Sequence, residues 1–503
     1  MRKYILSILV ATAATSGALH AQTIAGNAFD FSQMNYGSTA RFKAMGGAQI
    51  GVGGDIGSIS SNPAGLGLFT KSEFSLTPEF NSVSNKSTFL GNTTTGDKSQ
   101  INLNNVGVVF YSPAYKAKGA DVSNGLVSTV FGLSYNRNND FLNNFQYGGT
   151  NTNTSIRDFY VEDAERNGID GGVGGEAYRS YLINRDVPGS PTKFSAEPYS
   201  ANPAFDQNFA ETRLGSTSEF NVAGALNFSN KLYIGATASF VNVKYISDMV
   251  FRESGILNFY DEDADAFGGD ESYSMIQSMN QETKGSGFNM KLGLIFRPVN
   301  ELRIGINFQT PTWMNVEENT FAQVNNTLID YQSDNEPINF YSSYNLRTPS
   351  KASGGISYII GGRALISADV DYIDYSSIRF SANDNSNISE INSSNALIKN
   401  SYKETVNYRV GAEVKVNDAF SVRAGYGVNG NGIKDEFLGN SKAEIYSGGL
   451  GYRFDNYYFD LTYQNYQIKS LNSSPYILND YSEPIAETKN NRNNVFLTFG
   501  VRF

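Results

Sequence analysis

The chain has 503 residues, of which 49 are Gly, 31 are Tyr, 34 are Phe and none is Cys; 17% are charged and the formal net charge is −10. The negative charge argues against nucleic acid as a partner, because phosphates require a basic surface. Without Cys there is no disulfide scaffold, so the stability of this Gly-rich and aromatic-rich chain has to come from the closure and packing of β-structure.

The N-terminus has the features of a secretory signal peptide. Arg2 and Lys3 precede the apolar stretch 4–10, and small residues lead to Gln22. The stretch is too short for a membrane-spanning helix, which needs about 20 residues. We therefore expect a signal peptide over residues 1–21 and an exported chain that begins near Gln22.

The stretch 22–70 has no strand pattern and is predicted to form a separate N-terminal domain. It contains three Gly-rich sequences, at residues 37–47, 53–55 and 60–67. The spacing of these glycines does not match a phosphate-binding loop. A tightly folded segment is the simpler interpretation.

From about Ser72 onward, apolar and polar residues alternate with the period of two that is typical of β-strands. The clearest pair of strands is 288–296 and 302–308, each with one apolar and one polar face. About fourteen strands are predicted, with starts near residues 72, 99, 124, 216, 231, 285, 301, 341, 363, 402, 419, 441, 457 and 493.

The connections between these strands alternate in length. They are mostly tight after even-numbered strands, as at 417–418, and long after odd-numbered strands, as at 141–215 and 245–285. A soluble sandwich has no reason to follow this rule, whereas an outer-membrane barrel has short periplasmic turns and long outer loops. The long connections could form an external groove that captures a ligand, or they could be surface loops without a binding role.

The sequence therefore predicts an all-β protein, a transmembrane antiparallel β-barrel over residues 71–503. An even number of strands would place both termini on the periplasmic side of the outer membrane. The final residues alternate up to Phe503, which resembles the C-terminal signal read by the barrel assembly machinery. We expect the last strand to pair with the first, because an open edge in lipid leaves backbone groups unpaired.

Charged residues on the polar strand faces are expected to face the lumen, since Lys or Arg facing lipid at mid-depth costs roughly 2–4 kcal/mol. Most should pair with each other or with the N-terminal domain. One or two arginines could instead bind the carboxylate of an amphiphile. The candidates are Arg303, Arg347, Arg409 and Arg423.

The only histidine, His20, lies in the expected signal peptide. The exported chain would then lack a catalytic triad, a thiolate or histidine zinc site and a His-ligated haem. We expect no metal and no cofactor, and we do not expect an enzyme.

The stretch 22–70 resembles the hatch of the FadL-type outer-membrane transporters, in the branch found in Bacteroidetes. Asn62, Pro63 and Ala64, followed by Gly65, match the hatch motif of that family, and the Gly-Gly-Asp sequence at 53–55 makes the match more specific. Further matches extend the resemblance over nearly all of the chain, at residues 309–312, 346–349, 368–375 and 407–413.

The resemblance implies a barrel closed by the hatch, in which long-chain fatty acids or other hydrophobic compounds pass without an energy source once the segment around Asn62 to Ala64 shifts. The lipid bilayer and lipopolysaccharide would surround it. In this family an inward kink of the third strand opens a lateral exit, for which Gly132 is a candidate. Gly132 could equally be a plain lumen-facing glycine.

Two other functions remain open at this stage. Barrels of this kind also serve as shuttle subunits of type IX secretion, which bind a protein cargo signal and transport no small molecule. An open aqueous porin is a third possibility, which the hatch disfavours. A bound apolar ligand would favour the transporter, and a co-purifying secreted protein would favour the shuttle.

Overall fold

The computed structural model describes residues 17–503, apart from residues 34, 36, 120, 186–191, 197–202, 262–265, 329–330, 334, 384–387, 436–437 and 481. Residues 1–16 of the expected signal peptide thus lie outside the described residues. None of the helices in the described ranges is both long and apolar enough to span a membrane.

Fourteen antiparallel strands form one closed barrel in the described part of the chain, as the sequence predicts. Four of the strands consist of two segments separated by a short break. The bounds are β1 Glu73–Phe89, β2 Asn92–Pro113, β3 Leu126–Asp140 with Asn143–Asn151, β4 Phe205–Phe228, β5 Leu232–Asp261, β6 Ala266–Phe296, β7 Leu302–Gln309 with Trp313–Leu328, β8 Ile338–Arg347 with Lys351–Ile360, β9 Ala364–Asp374 with Arg379–Ala382, β10 Glu404–Lys415, β11 Phe420–Asn429, β12 Gly439–Phe454, β13 Tyr457–Ser473 and β14 Ala486–Arg502.

The remaining described elements are short. The helices are α1 Gly17–Ser32, α2 Ala40–Ala44, α3 Ile156–Asn167, α4 Gly172–Arg179 and α5 Ile388–Ser401. Three 3-10 helices cover Ile56–Ile59, Pro63–Leu68 and Tyr375–Ser377, and two-residue strands occur at Asn184–Arg185, Phe194–Ser195 and Tyr331–Gln332.

The barrel closes where β14 pairs with β1. The register runs from Glu73 opposite Arg502 to Thr88 opposite Glu487. The amide of Phe503 continues it by donating a 2.9 Å hydrogen bond to the carbonyl of Ser72. This closure confirms the prediction and leaves no open sheet edge in the hydrocarbon.

An apolar band surrounds the half of the barrel nearest the tight turns, which we call the turn end. On β6, the outward side chains from Phe288 to Phe296 are apolar, while Asn289 and Lys291 are buried in the lumen. A strand needs about 9–11 residues to cross a bilayer, and this run has that length.

We call the opposite end of the barrel the loop end. Towards it the inner face becomes apolar and the outer face becomes polar. On β8, Tyr344 and Leu346 are buried inside, whereas the half-buried Asn345 and the exposed Arg347 lie on the outer face. The prediction that Arg347 faces the lumen is therefore wrong. Beyond the hydrocarbon the outer face contacts water or head groups, so polar residues can occupy it and apolar residues pack inside.

The predicted alternation of connection lengths has exceptions. Leu90 and Gly91 form a tight turn after β1, made possible by positive φ angles of 48° and 82°. The connection 114–125 after β2 is long. The predicted loop 245–285 is mainly β-structure, because β5 and β6 continue pairing far beyond the apolar band. Because their outward residues are polar there, these parts of the strands lack the apolar–polar alternation and look like loops in the sequence.

The N-terminal residues before β1 fold inside the barrel. Phe42, Ile56 and Leu66 are fully buried there. The earlier helix α1 lies nearer the loop end, where Phe29 stacks on Tyr402 with ring centroids 4.4 Å apart. The chain thus runs through the lumen before β1 begins at the turn end.

Replacing Leu292, at the centre of the outward apolar run of β6, by Arg should lower the free energy of unfolding by about 2–4 kcal/mol in lipid vesicles. Ser286→Arg, on the same face but beyond the run, should cost less than about 1 kcal/mol. Urea unfolding followed by the fluorescence of Trp313, the only Trp of the chain, measures both. An equal loss of unfolding free energy in the two variants would contradict this placement of the band.

Candidate functional site: hatch, cavity and strand gap

Glycines of the barrel wall allow the N-terminal hatch to pack directly against the strands. A Cβ added to Gly425 would overlap the amide nitrogen of Gly46, and one added to Gly411 would overlap the carbonyl of Met45. Four further strand glycines approach hatch atoms in the same way: Gly235, Gly293, Gly305 and Gly355. We call these six residues the glycine cradle.

Buried ion pairs attach the hatch to the wall. Arg41 of α2 donates two hydrogen bonds to the carboxylate of Glu413, with N–O distances of 2.8 and 3.0 Å. Glu413 also accepts from Arg423, which in turn bonds to Asp460 at 2.5 Å. Arg423, a ligand candidate from the sequence, is thus engaged in anchoring the hatch.

The motif Asn62 to Gly65 forms a buried joint of the hatch. The Asn62 side chain accepts from the amide of Ala64 at 3.2 Å and donates to the carbonyl of Ile50 at 2.8 Å. Pro63 begins the following 3-10 helix, and the amide of Gly65 bonds to the carbonyl of Asn62 at 2.9 Å. These contacts fix the conformation of the motif, which packs on Gly235 and Gly293 of the cradle.

Two wall residues hold the hatch backbone. Asp369 accepts hydrogen bonds from the amides of Gln49 and Ile50, at 2.5 and 2.8 Å. Arg303 donates to the carbonyl of Val52 at 2.5 Å. Arg303, like Arg423, therefore serves the hatch rather than the open lumen.

A cavity of about 540 Å³ lies between the hatch and the loop end. Its size is within the range of about 300–1,000 Å³ that is usual for small-molecule sites. Helix α3 covers it through Phe159. Other apolar lining residues are Phe29, Phe141, Tyr245, Met249, Met279, Ile433, Leu438, Ile445 and Ile468.

Among the four arginines predicted as ligand contacts, only Arg409 lines this cavity, where it forms an ion pair with Asp371. Sequence reasoning missed Arg137, Arg213 and Arg492, which also line it. Two of them lie in Asn-rich sequences, 136–140 and 490–494, where the alternation of strand residues is lost. The loss of alternation is the one sequence signal that could have identified Arg137 and Arg492.

Arg492 differs from the other arginines of the cavity. Arg137 pairs with Asp140 at 3.2 Å, and Arg213 pairs with Glu211 at 2.8 Å. Arg492 donates only to neutral oxygens, the Asn490 side chain at 3.3 Å and the carbonyl of Asp140 at 2.9 Å. Within the described residues it forms no ion pair, although the carboxylate of Asp30 lies near enough to interact with it electrostatically. Its guanidinium can therefore donate hydrogen bonds to an anionic group of a ligand.

The wall of the cavity is interrupted between β2 and β3. These strands pair only from Asn105 opposite Asn136 to Pro113 opposite Ser128. Further towards the loop end β3 bends inward, because Asn143 accepts hydrogen bonds from the lumen-facing Asn85 of β1 and Asn490 of β14, at 2.9 and 3.0 Å. We call the resulting opening the strand gap.

The side chain of Asp140 bridges the strand gap through hydrogen bonds. Its carboxylate accepts from Asn81 at 2.7 Å, from Gln100 at 2.9 Å and from Asn102 at 3.0 Å. Since side chains rather than backbone ladders bridge the two strands here, the gap can open without breaking a β-ladder.

Gly132, the candidate for the lateral opening, lies outside the strand gap. It is paired with Val109 on β2 and with Ala223 on β4. An added Cβ would lie 2.9 Å from the Ile59 side chain of the hatch. The alternative interpretation, a lumen-facing glycine, is thus the one that fits. The bend occurs further on, beside a register shift between Arg137 and Asn139.

A family model of outer membrane protein transport proteins (OMPP1/FadL/TodX) matches residues 194–476, which is more than half of the chain. The chain belongs to this family. Membership places this FadL/TodX-type protein in the outer membrane, among channels for hydrophobic compounds rather than enzymes. A search of curated proteins found no match.

Solved structures share the fold at low sequence identity. A Pseudomonas aeruginosa FadL homologue is 13% identical with a TM-score of 0.52, over 93% of this chain and 98% of that chain. The Pseudomonas putida toluene transporter TodX is 14% identical with a TM-score of 0.51, over 94% and 99%. At these identities the similarity concerns the fold alone.

Gly425→Ala should displace the hatch, because the added methyl group overlaps the backbone of Gly46 and such overpacking costs about 1–3 kcal/mol. We expect ion conductance across a planar lipid bilayer to rise. Gly224→Ala is the matched control, since its Cβ would have no heavy atom nearer than 4.0 Å. An unchanged conductance of the Gly425 variant would show that the cradle does not seal the lumen.

Proposed function

We propose that this transporter takes up long-chain fatty acids or similar amphiphiles passively through the outer membrane. The observation that carries the proposal is the cavity, which combines an apolar wall with the guanidinium of Arg492, a group that forms no ion pair in the described part of the chain. An apolar tail would lie along the aromatic and aliphatic wall, and its carboxylate would accept hydrogen bonds from Arg492. A charge-assisted bond of this kind contributes about 1.5–3 kcal/mol.

Entry would take place at the loop end, which we propose faces the outside of the cell. Helices α3 and α4 pack there on a buried apolar cluster that includes Tyr160 and Phe251. Phe159 of the same cluster reaches the cavity. A ligand that binds to the apolar residues of this cap could therefore move into the apolar cavity without entering water.

Exit would take place sideways through the strand gap. The hatch below the cavity is held by the glycine cradle, by the pair of half-buried Arg41 with buried Glu413, and by the buried Asp369. Opening the gap requires rearrangement of side-chain contacts, namely the amide contacts to Asp140 and the hydrogen bonds that Asn92 and Asn144 donate across the gap. In this proposal Asn62 to Gly65 keep the hatch closed while the ligand passes, and the concentration gradient drives transport.

Several further assignments rest on the same proposal. We infer that residues 22–70 act as the hatch and 71–503 as the barrel, and that the hatch motif marks the Bacteroidetes branch. The apolar band would lie in the bilayer. Phe503, whose side chain is 62% exposed, remains accessible to the barrel assembly machinery.

Toluene is the alternative cargo, because the relative from Pseudomonas putida is a toluene transporter. An uncharged hydrocarbon would make no use of Arg492. The two cargoes can therefore be distinguished by what happens when this one charge is removed.

Arg492→Gln should raise the Kd for palmitate by at least about tenfold and leave the Kd for toluene unchanged, because only the carboxylate loses a partner. Arg453→Gln, at an exposed position of the turn end, should change neither. Displacement of a fluorescent fatty acid from the purified barrel measures these affinities.

Equal losses for palmitate and toluene would indicate a general disturbance of the cavity and would contradict the fatty-acid proposal. A cavity that binds neither compound, in a barrel purified together with a secreted protein, would favour a shuttle function.

A further inference from the structure

Two arginines lie directly opposite each other on the outer surface of the barrel. Arg347 ends the first segment of β8, Arg379 begins the second segment of β9, and the two are paired in the register. Both side chains are exposed. Residues in this relation have Cβ atoms about 4.5–5.5 Å apart, and like charges so placed destabilise the sheet.

No acidic side chain compensates this pair within the described ranges. Neither guanidinium forms an ion pair or a hydrogen bond with another described residue. The next outward positions are the neutral Asn345 and Ser381. Asp374 precedes Arg379 on the same strand, but its carboxylate accepts from the amide and hydroxyl of Ser376 at 3.0 and 2.6 Å.

The position of the pair relative to the apolar band indicates its surroundings. The outward apolar runs of β8 and β9 end at Ala352 and Tyr372, which are opposite each other, and the arginines follow towards the loop end. Trp313, 52% exposed, lies opposite Arg347 on its other side. Trp and Tyr are typical of the boundary between hydrocarbon and head groups, so the pair lies in the head-group layer.

We propose that Arg347 and Arg379 together bind a phosphate of an anionic glycolipid in the outer leaflet. A phosphate offers several oxygens to two planar guanidinium forks and cancels the repulsion between them. The proposal uses the orientation given above, with the loop end outside, but it is independent of what the cavity transports.

The test is thermal unfolding of the full-length barrel in an uncharged detergent, with added lipid A that carries two phosphates. The wild type should be stabilised by this lipid and not by its dephosphorylated form. In the double variant Arg347→Gln, Arg379→Gln, the lipid concentration for half-maximal stabilisation should rise by at least about tenfold. Arg363→Gln, in the tight turn between β8 and β9, should behave like the wild type.

A second readout separates lipid binding from a structural role. Without lipid, the double variant should unfold at the same or a higher temperature than the wild type, because the repulsion is removed. A lower unfolding temperature without lipid, or equal stabilisation of both proteins by lipid A, would overturn the proposal. Equal stabilisation by inorganic phosphate at the same concentration would overturn the assignment to a lipid.

Discussion

The requirement that every backbone group in the hydrocarbon has a hydrogen-bond partner determines the rest of this structure. A β-sheet meets it only by closing, which here happens through the long register between β1 and β14. A closed barrel of fourteen strands encloses a lumen that its own side chains do not fill. The hatch fills the turn end of that lumen, and the strand glycines permit this because they let two backbones come into contact.

The same requirement explains where the wall can be interrupted. Beside Gly132 the ladder between β2 and β3 is continuous, and Gly132 is paired on both sides. The inward bend of β3 begins only after Asn136, where Asn85, Asn490 and Asp140 provide side-chain hydrogen bonds in place of the ladder. A cavity that is closed below by a fixed hatch and bounded at the side by amide contacts favours sideways exit of an apolar ligand.

Much of the fold could be predicted from the sequence, because lipid contact enforces strict alternation over each membrane-crossing strand. The number of strands and the closure by the last strand follow from it, and ten of the fourteen predicted starts lie within three residues of the observed ones. Strands β2, β4, β6 and β14 begin 7 to 19 residues earlier than predicted. The extent of β5 and β6 could not be predicted, since outside the bilayer their outward residues become polar like those of a loop.

The candidate site was less accessible to sequence reasoning. The rule that a charged strand residue faces the lumen holds for Arg303, Arg409 and Arg423, but it fails for Arg347, which lies beyond the hydrocarbon. The sequence also does not reveal which lumen charges are already paired. Only the fold brings Glu413 and Asp460 to Arg423.

The most direct test of the account is fatty-acid uptake by a barrel whose hatch is covalently fixed. Asn62→Cys with Gly293→Cys introduces a single pair of thiols into a chain without Cys, at a point where a Cβ on residue 293 would overlap the Asn62 side chain. We expect equal uptake of labelled palmitate into vesicles by the oxidised and the reduced protein. Uptake that stops on oxidation and returns on reduction would contradict it, because the hatch would then have to move for the ligand to pass.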